Sequence, residues 1–155
     1  CSSDLQRVEL ATLVRGQMAL YGDALALREQ SMEGQMEEGL AVLGQPSLLQ
    51  QLVRNLLDNA HRHCPSGAHI QIHLWRRGRL ACLAVMDDGP GIPQDQLGKV
   101  FDRFWRASPH RSPGGSGLGL AIAARVSHLH GGRVRVESAP GSGSVFLVEL
   151  PLAPA

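Results

Sequence analysis

Apolar residues recur every three or four positions in three segments of the chain, and this spacing predicts three helices. The first helix is predicted over residues 10–29, with apolar residues at Leu10, Val14, Met18, Tyr21 and Leu25. The second begins at Pro46 and Ser47, since proline suits a first helical turn, and it ends before Pro65. The third begins near Gly117 and ends at Gly131-Gly132.

Shorter apolar runs between these segments predict strands. They lie at Leu5–Leu10, Ser31–Glu37, Leu40–Leu43, Ile70–Leu74, Leu80–Met86, Val134–Val136 and Val145–Leu150. Turn residues at Arg77-Gly78-Arg79 and Pro140–Gly143 join the last four into two hairpins. We therefore predict one α+β domain over residues 1–155, a two-layer α/β sandwich with about three helices on one face of a mixed sheet of about five strands.

A long irregular stretch, residues 87–116, interrupts this pattern, with short helical possibilities around Gln94–Phe104. Loops of this length in a compact domain are usually functional or mobile. We therefore look for candidate chemistry in this stretch and in the segments that flank it.

Composition and charge exclude several classes of protein. Hydrophobic residues make up 43% of the 155 positions, charged residues 19%, and the net charge is +1. A disordered chain would be less apolar, and an electrostatic nucleic-acid binder would carry a basic excess. No apolar run approaches the ~18 residues of a membrane span. From the balanced charge we expect no contact with nucleic acid, and from the lack of such a run we expect no contact of this chain with a membrane. Three cysteines without metal-ligand spacing favour a reducing, cytoplasmic setting.

The second helix carries polar residues close to its apolar stripe. At about 100° per residue, Asn59 falls inside the stripe, and Asn55 and Arg62 lie on its border. Asp58 lies opposite the stripe and is expected in solvent. One interpretation of Asn59 is a core amide bonded to neighbouring backbone. The other is an amide oxygen that binds a hard cation, with Arg62 placed for phosphate.

Two glycine-rich segments follow. Asp87-Asp88-Gly89-Pro90-Gly91 comes directly after an apolar strand, where the backbone can turn sharply and a carboxylate can accept a ligand amine. The alternative is a plain Asp-Gly turn. Gly114–Leu120 opens the third helix, where free amides and the helix dipole favour an anion. The alternative is a flexible loop, and neither a Walker loop nor a dinucleotide fingerprint is present.

Half of the six aromatic residues lie in the segment Phe101–Arg106. They either fill a small satellite core under a loop or anchor a mobile lid whose arginines reach phosphate. His61, His63 and Cys64 point in different directions on a helix, so we expect no zinc site there.

Taken in order, these four segments resemble the ATP-binding catalytic domain of bacterial two-component sensor histidine kinases. That domain belongs with gyrases, chaperones and mismatch-repair proteins in a superfamily with a Bergerat-type α/β sandwich. The resemblance covers about residues 5–152 and includes the turn at His130-Gly131-Gly132. It implies that ATP and Mg²⁺ are the cofactors.

The resemblance also implies roles for individual residues. It makes Asn59 the magnesium ligand, Asp87 the acceptor of the adenine amino group, and Arg62 a phosphate contact. It gives catalytic roles to Asn55, the other asparagine of the helix, and to Arg106, a lid arginine directed at the terminal phosphates. The remaining residues of the implied nucleotide site are His63, where a tyrosine is common, and Gly89, Gly91, Ile92, Phe104, Gly115, Gly117, Leu118 and Gly119.

One departure from the superfamily bears on function. Its hydrolysing members carry a water-activating glutamate where this chain has Asn55, so efficient hydrolysis is not expected. None of the seven histidines has the sequence context of a phosphoacceptor. The resemblance thus implies transfer of the γ-phosphoryl group to a histidine on a separate dimerisation domain, expected upstream of Cys1 with a sensor and a membrane segment. A response regulator would then be the indirect partner.

Two alternatives remain open. One is a serine kinase of the anti-sigma-factor type, which has the same fold. The other is a non-catalytic module that binds nucleotide only for regulation.

Overall fold

The computed structural model describes residues 5–105 and 118–154. Its elements in chain order are β1 Gln6–Glu9, α1 Leu10–Ala19, α2 Gly22–Leu27, β2 Ser31–Met36, β3 Ala41–Gly44, α3 Pro46–His63, β4 His69–Arg77, β5 Leu80–Asp87, a 3₁₀ helix Gln94–Lys99, α4 Gly119–Leu129, β6 Arg133–Ser138 and β7 Ser144–Pro151. The predicted mixture of helices and strands is confirmed. None of the helices in the described ranges is both long and apolar enough to cross a membrane.

Five strands form one mixed sheet in the order β2-β4-β5-β7-β6. Strands β2 and β4 are parallel, and every other neighbouring pair is antiparallel. Strands β1 and β3 form a separate antiparallel pair outside this sheet. The predicted five-stranded mixed sheet is therefore confirmed, with a small two-stranded ribbon beside it.

The core lies between α3 and the sheet. Successive side chains of a strand point to opposite faces, and the inward positions of β4, β5 and β7 are apolar. The buried stripe of α3 covers them and consists of Leu49, Leu52, Val53, Leu56, Leu57 and Ala60. This packing places the C-terminal end of α3 beside the C-terminal end of β5, where the candidate site lies.

The first predicted helix is divided in two, which corrects the single helix over residues 10–29. Helix α1 ends at Ala19 and α2 begins at Gly22. Tyr21 takes φ −98° and ψ 0° at the break, and its hydroxyl donates to the carbonyl oxygen of Arg54 at 3.2 Å. Tyr21 and Leu25 still face the core, so the apolar spacing continues although the helix does not. The described residues therefore contain four α-helices rather than about three.

Candidate functional site

A cavity of about 670 Å³ lies between the end of α3, the segment after β5 and the start of β7. Ligand pockets have volumes of roughly 300–1,000 Å³, so a nucleotide-sized molecule fits. Residues of the predicted site that line it are Asn59, Arg62, His63, Asp87, Gly89, Gly91 and Ile92. The fold therefore brings two separate sequence motifs to one cavity.

The polar residues near the end of α3 lie at the cavity wall. Asn59 is half-buried rather than fully buried, because the cavity opens beside the apolar stripe. Arg62 forms an ion pair with Asp58 at 2.8 Å. Asp58 is partly exposed, as expected, and it holds the guanidinium of Arg62 at the cavity rim.

Asn55 lies two turns from the C-terminal end of α3 and faces the start of α4. A Cβ atom built on Gly119 would lie 3.8 Å from Cγ of Asn55. The amide nitrogen Nδ2 of Asn55 is buried, and within the described part of the chain it has no hydrogen-bond partner. An orphaned donor beside a helix N-terminus suits an anion, because the free amides and the helix dipole favour negative charge there.

Asp87 ends strand β5 with its carboxylate held in place. One oxygen, Oδ1, accepts the backbone N–H of Gly89 at 2.9 Å. The Cys64 side chain and the backbone of Ser144 lie next to this carboxylate. Burial raises the pKa of Asp87, while the hydrogen bond from Gly89 acts to lower it. A buried carboxylate on a cavity wall is a specific acceptor for a ligand N–H group.

The turn after β5 needs glycine because it packs against the β6–β7 hairpin. Gly91 has φ +78°, and a Cβ atom there would overlap the carbonyl oxygen of Ala139. The backbone N–H of Ile92 donates to Oγ of Ser138 at 2.7 Å. The hairpin therefore fixes the turn that forms one wall of the cavity.

The three aromatic residues of the segment Phe101–Arg106 lie in three different environments. Phe101 packs edge-on against Phe146, with ring centroids 6.1 Å apart. Trp105 lines the cavity, and its indole N–H donates to Oε1 of Gln96 at 2.9 Å. Phe104, included in the predicted nucleotide site, has φ +65° and a 69% exposed side chain, and it does not line the cavity. Phe101 packs against the main core and not against a separate satellite core.

Several residues on the cavity wall were missed from sequence, namely Arg28, Cys64, Trp105, Ser144 and Phe146. Trp105 lies in a segment that the sequence had marked as aromatic. Arg28 carried no signal, because it belongs to no motif and arrives from 31 residues before Asn59. Leu118 and Gly119 lie at the start of α4. Arg106, Gly115 and Gly117 lie outside the described residues.

The donor set limits what metal the site can hold. No group of three or more His, Cys, Asp or Glu side chains that could bind a metal exists in residues 5–105 and 118–154. Asn59 offers one neutral amide oxygen at the cavity wall. Mg²⁺ prefers oxygen ligands and keeps several waters or phosphate oxygens, so the residues present fit a magnesium ion that arrives with a phosphate ligand.

Comparison with known proteins gives consistent matches. Residues 44–154 match the family model described as histidine kinase-, DNA gyrase B-, and HSP90-like ATPase. The signal transduction histidine-protein kinase BaeS of Escherichia coli is 36% identical over 147 residues, which cover 94% of this chain and 32% of BaeS. The sensor-like histidine kinase SenX3 of Mycolicibacterium smegmatis is 36% identical over 153 residues, which cover 97% of this chain and 40% of SenX3.

Solved structures show the same fold. The mycobacterial sensor histidine kinase MprB superposes with a TM-score of 0.87 at 32% identity, covering 97% of this chain and all of that one. The chain spans 32% and 40% of the lengths of BaeS and SenX3. The matched region of those longer proteins is thus one part among several.

Proposed function

The chain belongs to the histidine kinase-, DNA gyrase B- and HSP90-like ATPase family as a histidine kinase catalytic domain, and from that premise we propose that it binds Mg-ATP and donates the γ-phosphoryl group to a histidine on a separate domain. The acceptor belongs to the dimerisation domain of the kinase of which this domain is a part. A response regulator is the subsequent receiver, and the domain works in the cytoplasm.

The observation that carries this proposal is the convergence of Asp87 and Asn59 on one nucleotide-sized cavity. A carboxylate that accepts an amino group and an amide oxygen that suits Mg²⁺ match the two ends of Mg-ATP. Arg62 at the rim adds a positive charge for the phosphates. The adenine base of ATP would then lie at Asp87, and its phosphates would lie toward Asn55 and the start of α4.

The chemistry asked of this chain is mostly positioning and charge neutralisation. During transfer the bond between the γ-phosphorus and the bridging oxygen of ATP breaks, a bond to an imidazole nitrogen of the acceptor forms, and ADP leaves. Asn59 is the side chain that would hold magnesium, which would supply positive charge to neutralise the phosphates. Arg106, by our proposal, stabilises the negative charge that shifts during transfer, and Gly115 and Gly117 extend the phosphate site.

The amide at position 55 favours transfer over hydrolysis. An asparagine side chain is neither acid nor base near neutral pH, so it cannot take a proton from water. A kinase benefits from this, because water would otherwise compete with the acceptor histidine.

Base selectivity tests the proposed role of Asp87. ATP and GTP compete for a labelled ATP analogue on the wild-type chain, on Asp87→Asn and on Asp88→Asn. The wild type should prefer ATP by a large factor, since sites built around such a hydrogen bond can discriminate by up to about 10⁴. Asp87→Asn should lose most of that preference. Asp88 is the matched control, because its carboxylate accepts the backbone N–H of His69 at 2.8 Å outside the cavity.

Equal competition by GTP and ATP on the wild-type chain would contradict base recognition by Asp87. Magnesium titrated without nucleotide should bind only weakly, because Asn59 offers it one neutral amide oxygen and the remaining ligands would come from the phosphates and water.

Phosphoryl transfer separates the two alternatives from the kinase. We expect the chain to label a histidine-bearing dimerisation domain with ³²P from γ-labelled ATP, and chelation of magnesium to stop the reaction. An acid-labile label indicates phosphohistidine, whereas an acid-stable label on serine would support the anti-sigma-factor type. Nucleotide binding without any transfer would support the regulatory module.

A further inference from the structure

The C-terminal end of α3 is held by two side chains from the short segment between α2 and β2. Nε2 of Gln30 donates to the carbonyl oxygens of His61 at 3.1 Å and Cys64 at 3.0 Å. Its Oε1 lies 2.7 Å from Nδ1 of His61. The guanidinium of Arg28 donates to the carbonyl oxygen of Cys64 at 2.7 Å. The last carbonyls of a helix have no partner within the helix, so these bonds fix the backbone of Cys64.

The side chain of Cys64 lies under the turn that follows β5. It is 1% exposed and belongs to the cavity wall. A Cβ atom built on Gly89 would lie 3.1 Å from Sγ of Cys64 and 3.0 Å from Oδ1 of Asp87. The glycine therefore leaves the space in which the thiol lies beside the carboxylate.

We propose that Cys64 is a positioning residue for base recognition, and that its buried thiol, which lies beside the carboxylate of Asp87, donates to that group and leaves it one acceptor site for a ligand in the cavity. This inference rests on the proposed function, in which Asp87 accepts the adenine amino group. A carboxylate has about four acceptor sites. The backbone N–H of Gly89 occupies one of them and the thiol a second, which leaves room for a ligand N–H group.

The protonation states agree with this arrangement. Burial, with the nearby charge of Asp87, raises the pKa of the Cys64 thiol to about 12, so the thiol keeps its proton and remains a donor at neutral pH. Burial raises the pKa of Asp87, and the thiol hydrogen bond opposes that rise. Asp88 adds to the rise, and the charged or titratable groups that share the cavity are Arg28, Arg62 and His63.

Variants at position 64 separate the hydrogen bond from the volume of the side chain. Cys64→Ala and Cys64→Val both lack a donor, and valine keeps the space filled if alanine fails to fold. Cys64→Ser restores a donor. Cys82→Ala is the matched control, because Cys82 is also a buried free cysteine but does not line the cavity.

The first readout needs no nucleotide. Carboxyl ¹³C NMR of the apo chain should show the pKa of Asp87 raised by about 0.5–1 in both donor-free variants, since a hydrogen bond to the charged form lowers a pKa. Cys64→Ser and Cys82→Ala should stay close to wild type. An unchanged Asp87 pKa in the donor-free variants, or a serine variant that matches alanine, would overturn the inference.

The second readout is the dissociation constant for Mg-ATP measured against pH. In the donor-free variants the dissociation constant should rise about three- to fivefold near pH 6, the size of one modest hydrogen bond. The loss of affinity at low pH should also begin at a higher pH, because the pKa of Asp87 is raised. If Asp87→Asn binds ATP as tightly as wild type, base recognition by Asp87 fails, and with it the role of Cys64 in recognition. The NMR shift then still reports separately on the thiol–carboxylate contact.

Discussion

At the scale of single residues, Asn55 places a polar group in a buried position beside the start of α4. Its Nδ2 atom is buried without a hydrogen-bond partner in the described residues, and such a group costs about 1–3 kcal/mol. Natural proteins retain uncompensated groups of this kind mainly at functional sites. By the proposed function, a phosphate oxygen of the nucleotide would accept from this amide and remove that cost.

Replacing Asn55 by leucine tests this explanation. Asn55→Leu removes the orphaned donor and improves helix propensity, so the free energy of unfolding should stay equal or rise by about 1 kcal/mol. Binding of Mg-ATP should weaken at least about tenfold, the loss of one strong hydrogen bond to a charged group. Urea unfolding and calorimetric titration measure the two effects.

Gln50→Leu is the control, because Gln50 is exposed on the same helix. Glutamine and leucine have about the same helix propensity, so this variant should change neither the free energy of unfolding nor the nucleotide affinity by much. A variant at position 55 that loses stability and keeps its affinity would contradict the role given to Asn55.

At the scale of elements, His130 joins the end of α4 to the start of α3. Its Nδ1 lies 2.8 Å from the carbonyl oxygen of Val126, and its Nε2 accepts the backbone N–H of Gln45 at 3.2 Å. A Cβ atom built on Gly44 would lie 2.5 Å from Cδ2 of His130. Glycine at position 44 therefore makes room for the histidine that accepts the backbone N–H of Gln45, the residue immediately before α3.

A double-mutant cycle measures this coupling. His130→Ala should destabilise the chain by about 1–2 kcal/mol, as for loss of a helix cap. Gly44→Ala should cost about 1–3 kcal/mol through overpacking against the ring. The double variant should cost less than the sum by about 1 kcal/mol, because the ring that clashes is gone. Strict additivity in urea unfolding would show that the two sites do not contact each other.

At the scale of the whole molecule, the face of the sheet turned away from the helices is tied together by one buried carboxylate. The Glu149 side chain in β7 is 3% exposed and forms ion pairs with Arg77 of β4 and with Arg133 and Arg135 of β6. The cluster therefore spans the sheet from β4 to β6. Although burial opposes ionisation, the hydrogen bond from Arg133 and the charges of the arginines lower the pKa of Glu149 overall.

A carboxyl group with a lowered pKa in the folded state stabilises the fold above its ordinary pKa and loses that contribution as pH falls. Glu149→Gln should therefore reduce the free energy of unfolding by about 1–3 kcal/mol at neutral pH, the range for hydrogen bonds to charged groups. The difference from wild type should shrink as pH falls through the lowered pKa. Glu137→Gln, at an exposed position of β6, should show neither effect in the same denaturant titrations.

The sequence by itself determined most of the elements and singled out several residues that line the cavity. Helical and alternating apolar spacing is local information, because each element must bury one face. This is why the periodicity located α3, α4 and the strands of both hairpins. Asp87 and Asn59 could be singled out because Asp87 ends a strand and Asn59 lies on a helix that the apolar pattern predicts. The fold then brings these two segments to one cavity.

Only the tertiary structure decided contacts between residues that are distant in sequence. Arg28 and Gln30 reach the end of α3 across more than 30 residues, and Glu149 meets Arg77 across 72. The division of α1 from α2 at Tyr21 was also hidden, since both helices bury the same face and the apolar spacing runs through the break. Cys64 became part of the candidate site in the same way. Its role depends on which carboxylate lies beside its thiol, and no local pattern of hydrophobic and polar residues contains that information.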